Sequence, residues 1–191
     1  MKKVLVLLAL VLSTVCANAQ WKVGRVKQDF KVFSKFYDAD EHFSKDFFVV
    51  YSDNRNGTVT IYDYCEGNCV LGTFSNINKY IEFTGYYYAE VTDPVDDYVN
   101  VRKGPGTKYP VVGKLGTGWD ILFQKTESNW LKVYSLFDGY YDDGYFENGV
   151  GFDVLFTIVD DWKRTGKPKD FHFLGYVYKN RLKTPIIDRF E

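Results

Sequence analysis

Turn-forming residues divide this chain into short segments rich in aromatic and β-branched side chains, and this pattern limits its possible folds more than any other feature. Asn56 and Gly57, for example, stand between two such segments and accept the positive φ angles of a tight hairpin. The 191 residues include 16 Tyr, 16 Phe and 4 Trp, which are residue types enriched in strands. The sequence therefore predicts an all-β chain.

Strands are predicted wherever such a segment lies between turn signals. Before residue 93 they are residues 47–52, 58–64, 68–74, 80–84 and 86–91; after it they are residues 98–102, 111–115, 120–125, 130–134 and 171–182. Residues 135–149 are predicted to form a loop. In residues 150–158, a period-two alternation favours a strand over the competing helix at residues 152–159.

The first residues have the layout of a secretory signal peptide. Two lysines precede an apolar run at residues 4–15, and Ala17-Asn18-Ala19 follows as a small-residue cleavage site. The apolar run is too short to span a membrane. A lipid-attachment site at Cys16 is the alternative, which the bulky Val15 disfavours. We expect cleavage after Ala19, a secreted or periplasmic protein, and no integral membrane segment after the leader is removed.

The remaining chain, residues 20–191, is long enough for one domain or two small ones. The whole chain carries 24 basic and 25 acidic residues, which are well mixed. Such a balance does not recruit nucleic acid or an anionic membrane through bulk charge. Asp93-Pro94 interrupts the strand pattern, because proline cannot donate to a central ladder. We place a domain boundary there, between residues 20–92 and 93–191.

Two cysteines follow the leader, Cys65 and Cys69, separated by Glu-Gly-Asn. A three-residue hairpin loop would set them opposite each other on paired strands, within disulfide range. In an oxidising compartment this predicts a structural disulfide. Zinc is the rival interpretation, but only His42 and His172 could complete a site, and both are remote in sequence.

Four short motifs occur in a fixed order after residue 98. They are V-N-V-R-K-G-P-G at residues 99–106, Y-P-V-V-G-K-L at 109–115, W-L-K-V at 130–133 and G-Y-V at 175–177. Together they resemble the bacterial SH3 (SH3b) family. The similarity covers residues 96–136 and 174–182, which is under a third of the chain. Residues 137–173 depart from the family pattern and are interpreted as an inserted loop and hairpin.

The resemblance implies a small SH3-like barrel with a shallow aromatic groove. Gly104, Pro105 and Gly106 would shape the loop that forms one wall, and Arg102 would tie that loop down. The residues that the resemblance places at the groove are Tyr98, Asn100, Arg102, Tyr109, Trp119, Trp130 and Tyr176. For Trp130 and Tyr176, a place in the core is the alternative.

A weak internal repeat extends this prediction to the first half of the chain. Residues 59–64, 70–74 and 88–91 run parallel to residues 99–102, 111–115 and 130–133. We therefore expect two small SH3-like β-barrels in tandem, the first of them degenerate.

Catalytic constellations are not found in the sequence. Cysteine peptidases need a thiolate beside an oriented histidine, and Cys65 and Cys69 are expected to be paired with each other. No G-x-S-x-G, H-E-x-x-H or phosphate-binding glycine loop occurs. Asp138, Asp142, Asp143 and Glu147 could hold calcium, but a solvated acidic loop is favoured. We expect no enzyme activity, metal or cofactor.

These observations predict an exported, non-enzymatic binding module. Its expected partner is peptidoglycan peptide or glycan, or an envelope protein, held in the aromatic groove. One alternative is a structural or assembly protein of the cell envelope that docks through residues 137–173. Another is an accessory subunit of a cell-wall hydrolase.

Overall fold

The computed structural model of the chain describes residues 20–35, 37–54, 56–63, 69–135 and 171–183. Most of them lie in antiparallel strands. The first seven strands are β1 (Trp21–Val26), β2 (Phe30–Ser34), β3 (Ala39–Phe43), β4 (Phe48–Asp53), β5 (Thr58–Asp63), β6 (Cys69–Ser75) and β7 (Ile81–Val91). The other six are β8 (Tyr98–Arg102), β9 (Val111–Gly116), β10 (Asp120–Gln124), β11 (Trp130–Ser135), β12 (His172–Tyr178) and β13 (Leu182–Lys183).

Two short helical turns join some of these strands. Helix α1 (Ile77–Tyr80) leads into β7, and a 3-10 helix (Lys179–Arg181) connects β12 to β13. Within the described residues, no helix is long and apolar enough to cross a membrane.

One strand, β7, joins the two halves of the molecule. The main sheet runs in the order β6-β5-β4-β1-β7-β10-β11-β12-β8-β9, with β13 also paired to β7. On one edge of β7, Tyr88 lies opposite Trp21 of β1; on the other edge it lies opposite Leu122 of β10. Strands β2 and β3 form a separate hairpin. Because β7 pairs on both sides, both halves share one hydrogen-bonded sheet.

A bulge allows β7 to serve both halves. The register of its pairing with β1 shifts between Lys22 and Gly24. Gly85, on the β7 side of this shift, has a φ of +87°, an angle that side-chain-bearing residues rarely adopt. The hydroxyl of Thr84 donates a hydrogen bond to the carbonyl of Val23 at 2.7 Å. The bulge bends β7 without ending it.

Three clusters of buried side chains form the core. The first cluster belongs to the N-terminal half and includes Val26, Phe30, Val49, Ile61 and Ile81. The second cluster belongs to the C-terminal half and includes Val99, Val101, Leu115, Ile121 and Val177. The central cluster joins the halves and consists of Trp21, Val23, Val50, Tyr62, Tyr88, Leu122 and Tyr134.

The all-β prediction is confirmed, and the predicted strands from residue 47 to residue 134 lie within or beside observed ones. Three details were wrong. The predicted strand at residues 171–182 is interrupted by the 3-10 helix Lys179–Arg181, so β12 ends at Tyr178. Residues 80–84 and 86–91 form one strand, because Gly85 carries the chain through the bulge, and β1, β2 and β3 were not predicted. The described strands do not close into a barrel, so the tandem of two barrels stays a prediction.

The expected domain boundary at residue 93 lies in the turn between β7 and β8. The domain division itself stays a prediction. Several other expectations lie outside the described residues: the leader at residues 1–19, the Cys65–Cys69 disulfide, the acidic cluster at residues 138–147 and nearly all of the insertion at residues 137–173.

Candidate binding groove

A groove with a cavity volume of about 560 Å³ lies in the C-terminal half, and we call it the aromatic groove. Three strands or their ends supply its lining. These residues include Tyr98, Asn100 and Arg102 of β8, Trp130 of β11, Tyr178 of β12 and Arg181 of the 3-10 helix. The groove therefore depends on chain segments that are far apart in sequence.

The aromatic wall follows from the period of two along a strand. On β8, Val99 and Val101 point into the second cluster and are buried, which leaves Tyr98, Asn100 and Arg102 on the groove side. Trp130 and Tyr178 are direct partners across β11 and β12. Their rings meet edge to face with centroids 5.5 Å apart, a favourable geometry for aromatic pairs.

A loop at residues 103–110 forms the opposite wall, and Arg102 holds it. The Nη1 of Arg102 donates hydrogen bonds to the carbonyl oxygens of Thr107 at 3.1 Å and Tyr109 at 2.8 Å. The N–H of Gly106 donates to the carbonyl of Gly104 at 2.9 Å. A Cβ on Gly104 would lie 2.6 Å from the ring of Tyr109. The glycine therefore provides the space in which this ring packs against the loop.

Charges of both signs lie at one end of the aromatic groove. Asp93 accepts hydrogen bonds from the N–H groups of Val95 at 3.0 Å and Asp96 at 3.2 Å, and it also forms an ion pair with Arg181. The hydrogen bond from Val95, with further contributions from Asp96 and the positive charge of Arg181, lowers the pKa of Asp93. Asp93 therefore stays ionised at neutral pH and holds Arg181 beside the groove.

The structure brings together four of the seven residues assigned to the groove by sequence: Tyr98, Asn100, Arg102 and Trp130. The other three lie elsewhere. Tyr109 packs on Gly104, and the ring of Trp119 packs over Gly116 beside the second cluster. Tyr176 contacts the ring of Phe173, with centroids 5.5 Å apart. Neither Trp130 nor Tyr176 belongs to the buried core.

Sequence reasoning missed several residues that line the groove, among them Asp93, Asp96, Tyr178 and Arg181. Asp93 was interpreted only as part of a boundary. Tyr178 and Arg181 follow the G-Y-V motif directly, and the period of two from Tyr176 could have identified Tyr178. No comparable signal in the sequence pairs Arg181 with Asp93, because the folded sheet alone makes them neighbours.

The charged residues that line the groove are Asp93, Asp96, Arg102 and Arg181. No histidine or cysteine is among the residues that line it. In the described part of the chain, no group of three His, Cys, Asp or Glu side chains lies close enough to hold a metal ion. What the groove offers is aromatic surface, two side-chain amides and charges of both signs.

Comparison with known proteins adds no relative: no family model, curated protein or solved structure matches the chain. The resemblance to the SH3b family therefore rests on the sequence motifs alone.

Proposed function

We propose that the protein is an exported, non-enzymatic binding module that recognises cell-wall peptide or glycan through the aromatic groove. One observation carries this proposal. Tyr98, Asn100, Arg102 and Trp130, which the SH3b-like motifs single out, line one cavity although Trp130 is distant from β8 in the sequence.

The chemistry of the groove suits a zwitterionic, partly apolar chain. Tyrosine and tryptophan rings offer rigid contact area, with a polar atom at the edge, for sugar faces or aliphatic side chains. Arg181 can bind a carboxylate through the donors that Asp93 leaves free, and the exposed Asp96 can bind an ammonium group; both groups occur in wall peptides. A cavity of about 560 Å³ is large enough for a short stretch of such a chain.

The finer description of the fold belongs to the same proposal. In it, residues 93–191 form an SH3-like unit with an insertion, and residues 20–92 form a degenerate SH3-like repeat. Strands β8 to β12 support the first part because they contribute to one common cluster of buried side chains, on which Ala89 and Val91 of β7 also pack. The proposal also includes removal of the predicted leader, a Cys65–Cys69 disulfide, and a secreted or periplasmic location that is oxidising enough to maintain it.

A protein partner in the cell envelope is the second candidate, and exposed apolar side chains favour it. Phe173 is 50% exposed where the chain returns from residues 137–170, and Tyr178 is 37% exposed at the groove. Such surface can dock another chain, either in an envelope assembly or as the accessory subunit of a wall hydrolase.

Co-sedimentation with purified peptidoglycan sacculi over a salt series tests the first candidate. We expect saturable binding that persists at high salt, because aromatic contacts are not screened as surface charges are. Tyr98→Ala and Trp130→Ala should each weaken binding. Phe83→Ala should not, because Phe83 is equally aromatic and 41% exposed but lies on β7, away from the groove.

Two results would count against wall recognition. If the protein stays in the supernatant at every salt concentration, the groove does not bind sacculi and the protein-partner candidate takes its place. If Phe83→Ala weakens binding as much as Trp130→Ala, the aromatic groove is not the binding surface.

A further inference from the structure

We propose that a second cavity binds the carboxylate end of a peptide whose last side chain is apolar. This cavity has a volume of about 470 Å³ and lies between the β10–β11 turn and the segment from Lys179 to Lys183. We call it the lysine cavity. The proposal goes beyond the proposed function of the aromatic groove and does not depend on it.

The floor of the lysine cavity is apolar. Ala89, Phe123, Leu131 and Leu182 line it, and all four pack in or against the second cluster. Ala89 and Phe123 are buried, so the floor is a fixed part of the core. A small aliphatic side chain placed there would be buried away from water and would displace no protein atoms.

The rim of the cavity is cationic. Lys125, Lys179 and Lys183 line it, and no Asp or Glu does. Lys183 forms an ion pair with Glu90 at 2.8 Å, so its charge is largely balanced. Lys125 and Lys179 make no ion pair with a carboxylate in the described part of the chain. The ammonium of Lys125 lies 4.6 Å from the centroid of the Tyr87 ring. Two uncompensated positive charges above an apolar floor match an anion that carries an apolar group.

Hydrogen bonds fix the turn that borders the cavity. Thr126 donates to the carbonyl of Trp130 at 2.6 Å, and the N–H of Ser128 donates to the Thr126 hydroxyl at 3.1 Å. The N–H of Lys179 donates to the carbonyl of Asn129 at 2.9 Å, which joins the turn to the 3-10 helix. The rim is therefore preorganised, which lowers the entropic cost of binding.

The two cavities adjoin but differ in chemistry. Asn180 lines both, and the 3-10 helix separates them. The aromatic groove carries paired charges of both signs, whereas the lining of the lysine cavity carries only positive ones. A carboxylate should favour the lysine cavity over the aromatic groove, because the lysine rim attracts it and no acidic residue in the lining repels it.

Titration of the purified protein with short peptides in an isothermal calorimeter tests this inference. The first probe is acetyl-Ala-Ala-Leu with a free carboxylate, and its matched control is the same peptide as the C-terminal amide. We expect the acid to bind at least about tenfold more tightly than the amide, as for a charge-assisted hydrogen-bonded pair. A second probe that ends in D-alanine represents the end of a wall peptide, whereas the leucine acid represents an ordinary protein terminus. Binding of either acid more tightly than its amide supports the carboxylate site, and the acid that binds more tightly indicates which kind of peptide the cavity takes.

Variants separate this cavity from the aromatic groove. Lys125→Met and Lys179→Met should each weaken binding of the acid about tenfold. Lys132→Met should leave it unchanged, because Lys132 lies on β11 and lines neither cavity. Tyr98→Ala, which alters the aromatic groove at a residue that does not line the lysine cavity, should also leave it unchanged. Equal binding of acid and amide, loss of binding in Lys132→Met, or no binding at millimolar concentration would each overturn the inference.

Discussion

The two halves of the sheet use their aromatic residues differently. In the N-terminal half, Phe30 packs between Phe43 and Phe74 at centroid distances of 4.9 and 5.0 Å, and the rings fill the space between the β2–β3 hairpin and the sheet. In the C-terminal half, the rings of Trp130 and Tyr178 meet edge to face at the edge of a groove. An aromatic-rich composition therefore identifies neither core nor site. The position of each ring relative to the sheet determines whether it is buried in the core or lines the groove.

Trp21→Ala should have the largest effect, because Trp21 belongs to the cluster that both halves share. Its side chain is 1% exposed and stacks on Tyr62 with centroids 4.1 Å apart. We expect a loss of about 3–5 kcal/mol in the free energy of unfolding. Urea unfolding followed by far-UV circular dichroism and by fluorescence should show one transition that moves as a whole.

Trp130→Ala is the matched control for this prediction, since Trp130 is a partly exposed groove residue. Its loss should be about 1 kcal/mol. Two separate transitions, of which Trp21→Ala moves only one, would show that the halves unfold independently. In that case β7 would not couple them.

Gly175→Ala should disturb the packing of β12 on β8. Gly175 has a φ of +147°, and a Cβ there would lie 2.5 Å from the carbonyl oxygen of Arg102. We expect a loss of about 3 kcal/mol together with weaker sacculus binding, because β12 and β8 both build the groove. Gly118→Ala should cost only about 1 kcal/mol, since Gly118 has a positive φ but nothing within 4 Å of its Cβ position. Equal losses in the two variants would contradict the close packing of β12 on β8.

Asp120→Asn should stabilise the protein at neutral pH. Burial raises the pKa of Asp120 from 3.8 to about 6, and the negative charge of Glu90 adds to this shift, while a hydrogen bond from Tyr88 opposes it. The folded state therefore binds this proton more tightly than the unfolded state, so the Asp120 contribution to stability falls as pH rises from about 4 to 6.

Asparagine cannot ionise, so the variant should gain about 1–2 kcal/mol over the natural protein above pH 6, after allowance for partial solvent screening. The gain should shrink toward pH 4. Melting temperatures measured from pH 4 to 8 would show this, and a constant difference across the range would mean that ionisation of Asp120 is not its cause.

Arg102→Ala should have the smallest effect on folding. It removes two hydrogen bonds to the carbonyls of the 103–110 loop, which predicts a loss of about 1 kcal/mol in stability. Sacculus binding should fall more clearly, because the loop forms a wall of the groove. Lys103→Ala, which changes the exposed neighbour, is the control for both measurements. If Arg102→Ala binds sacculi as well as the natural protein does, the 103–110 loop is not part of the binding site.

The sequence predicted the strands well where turn chemistry is local. Asn56-Gly57 marks a hairpin whichever sheet it joins, and the motif at residues 99–106 identifies a strand and a loop that the structure contains. Strand β1 was missed because its contacts are with residues that are distant in the sequence. A Cβ on Gly24 would lie 2.3 Å from the Cγ2 of Ile81, and nothing near residue 24 signals this contact.

The candidate site was predictable to the extent that one strand carries it. Tyr98, Asn100 and Arg102 share the groove face of β8 because of the period of two. Asp93 and Arg181 could not be found in this way, because their ion pair forms only when the 3-10 helix after β12 meets the turn after β7. Groove residues contributed by distant segments require the topology, and the topology depends on the pairing of β7 to both halves.

Amide NMR of the protein from residue 20, titrated with soluble peptidoglycan fragments, tests the central claim most directly. We predict shift changes concentrated at residues 98–102, 107, 130 and 178–181, with little change in the first cluster of the N-terminal half. Changes confined to the N-terminal half, or no changes at saturating fragment concentration, would contradict a wall-binding role for the aromatic groove.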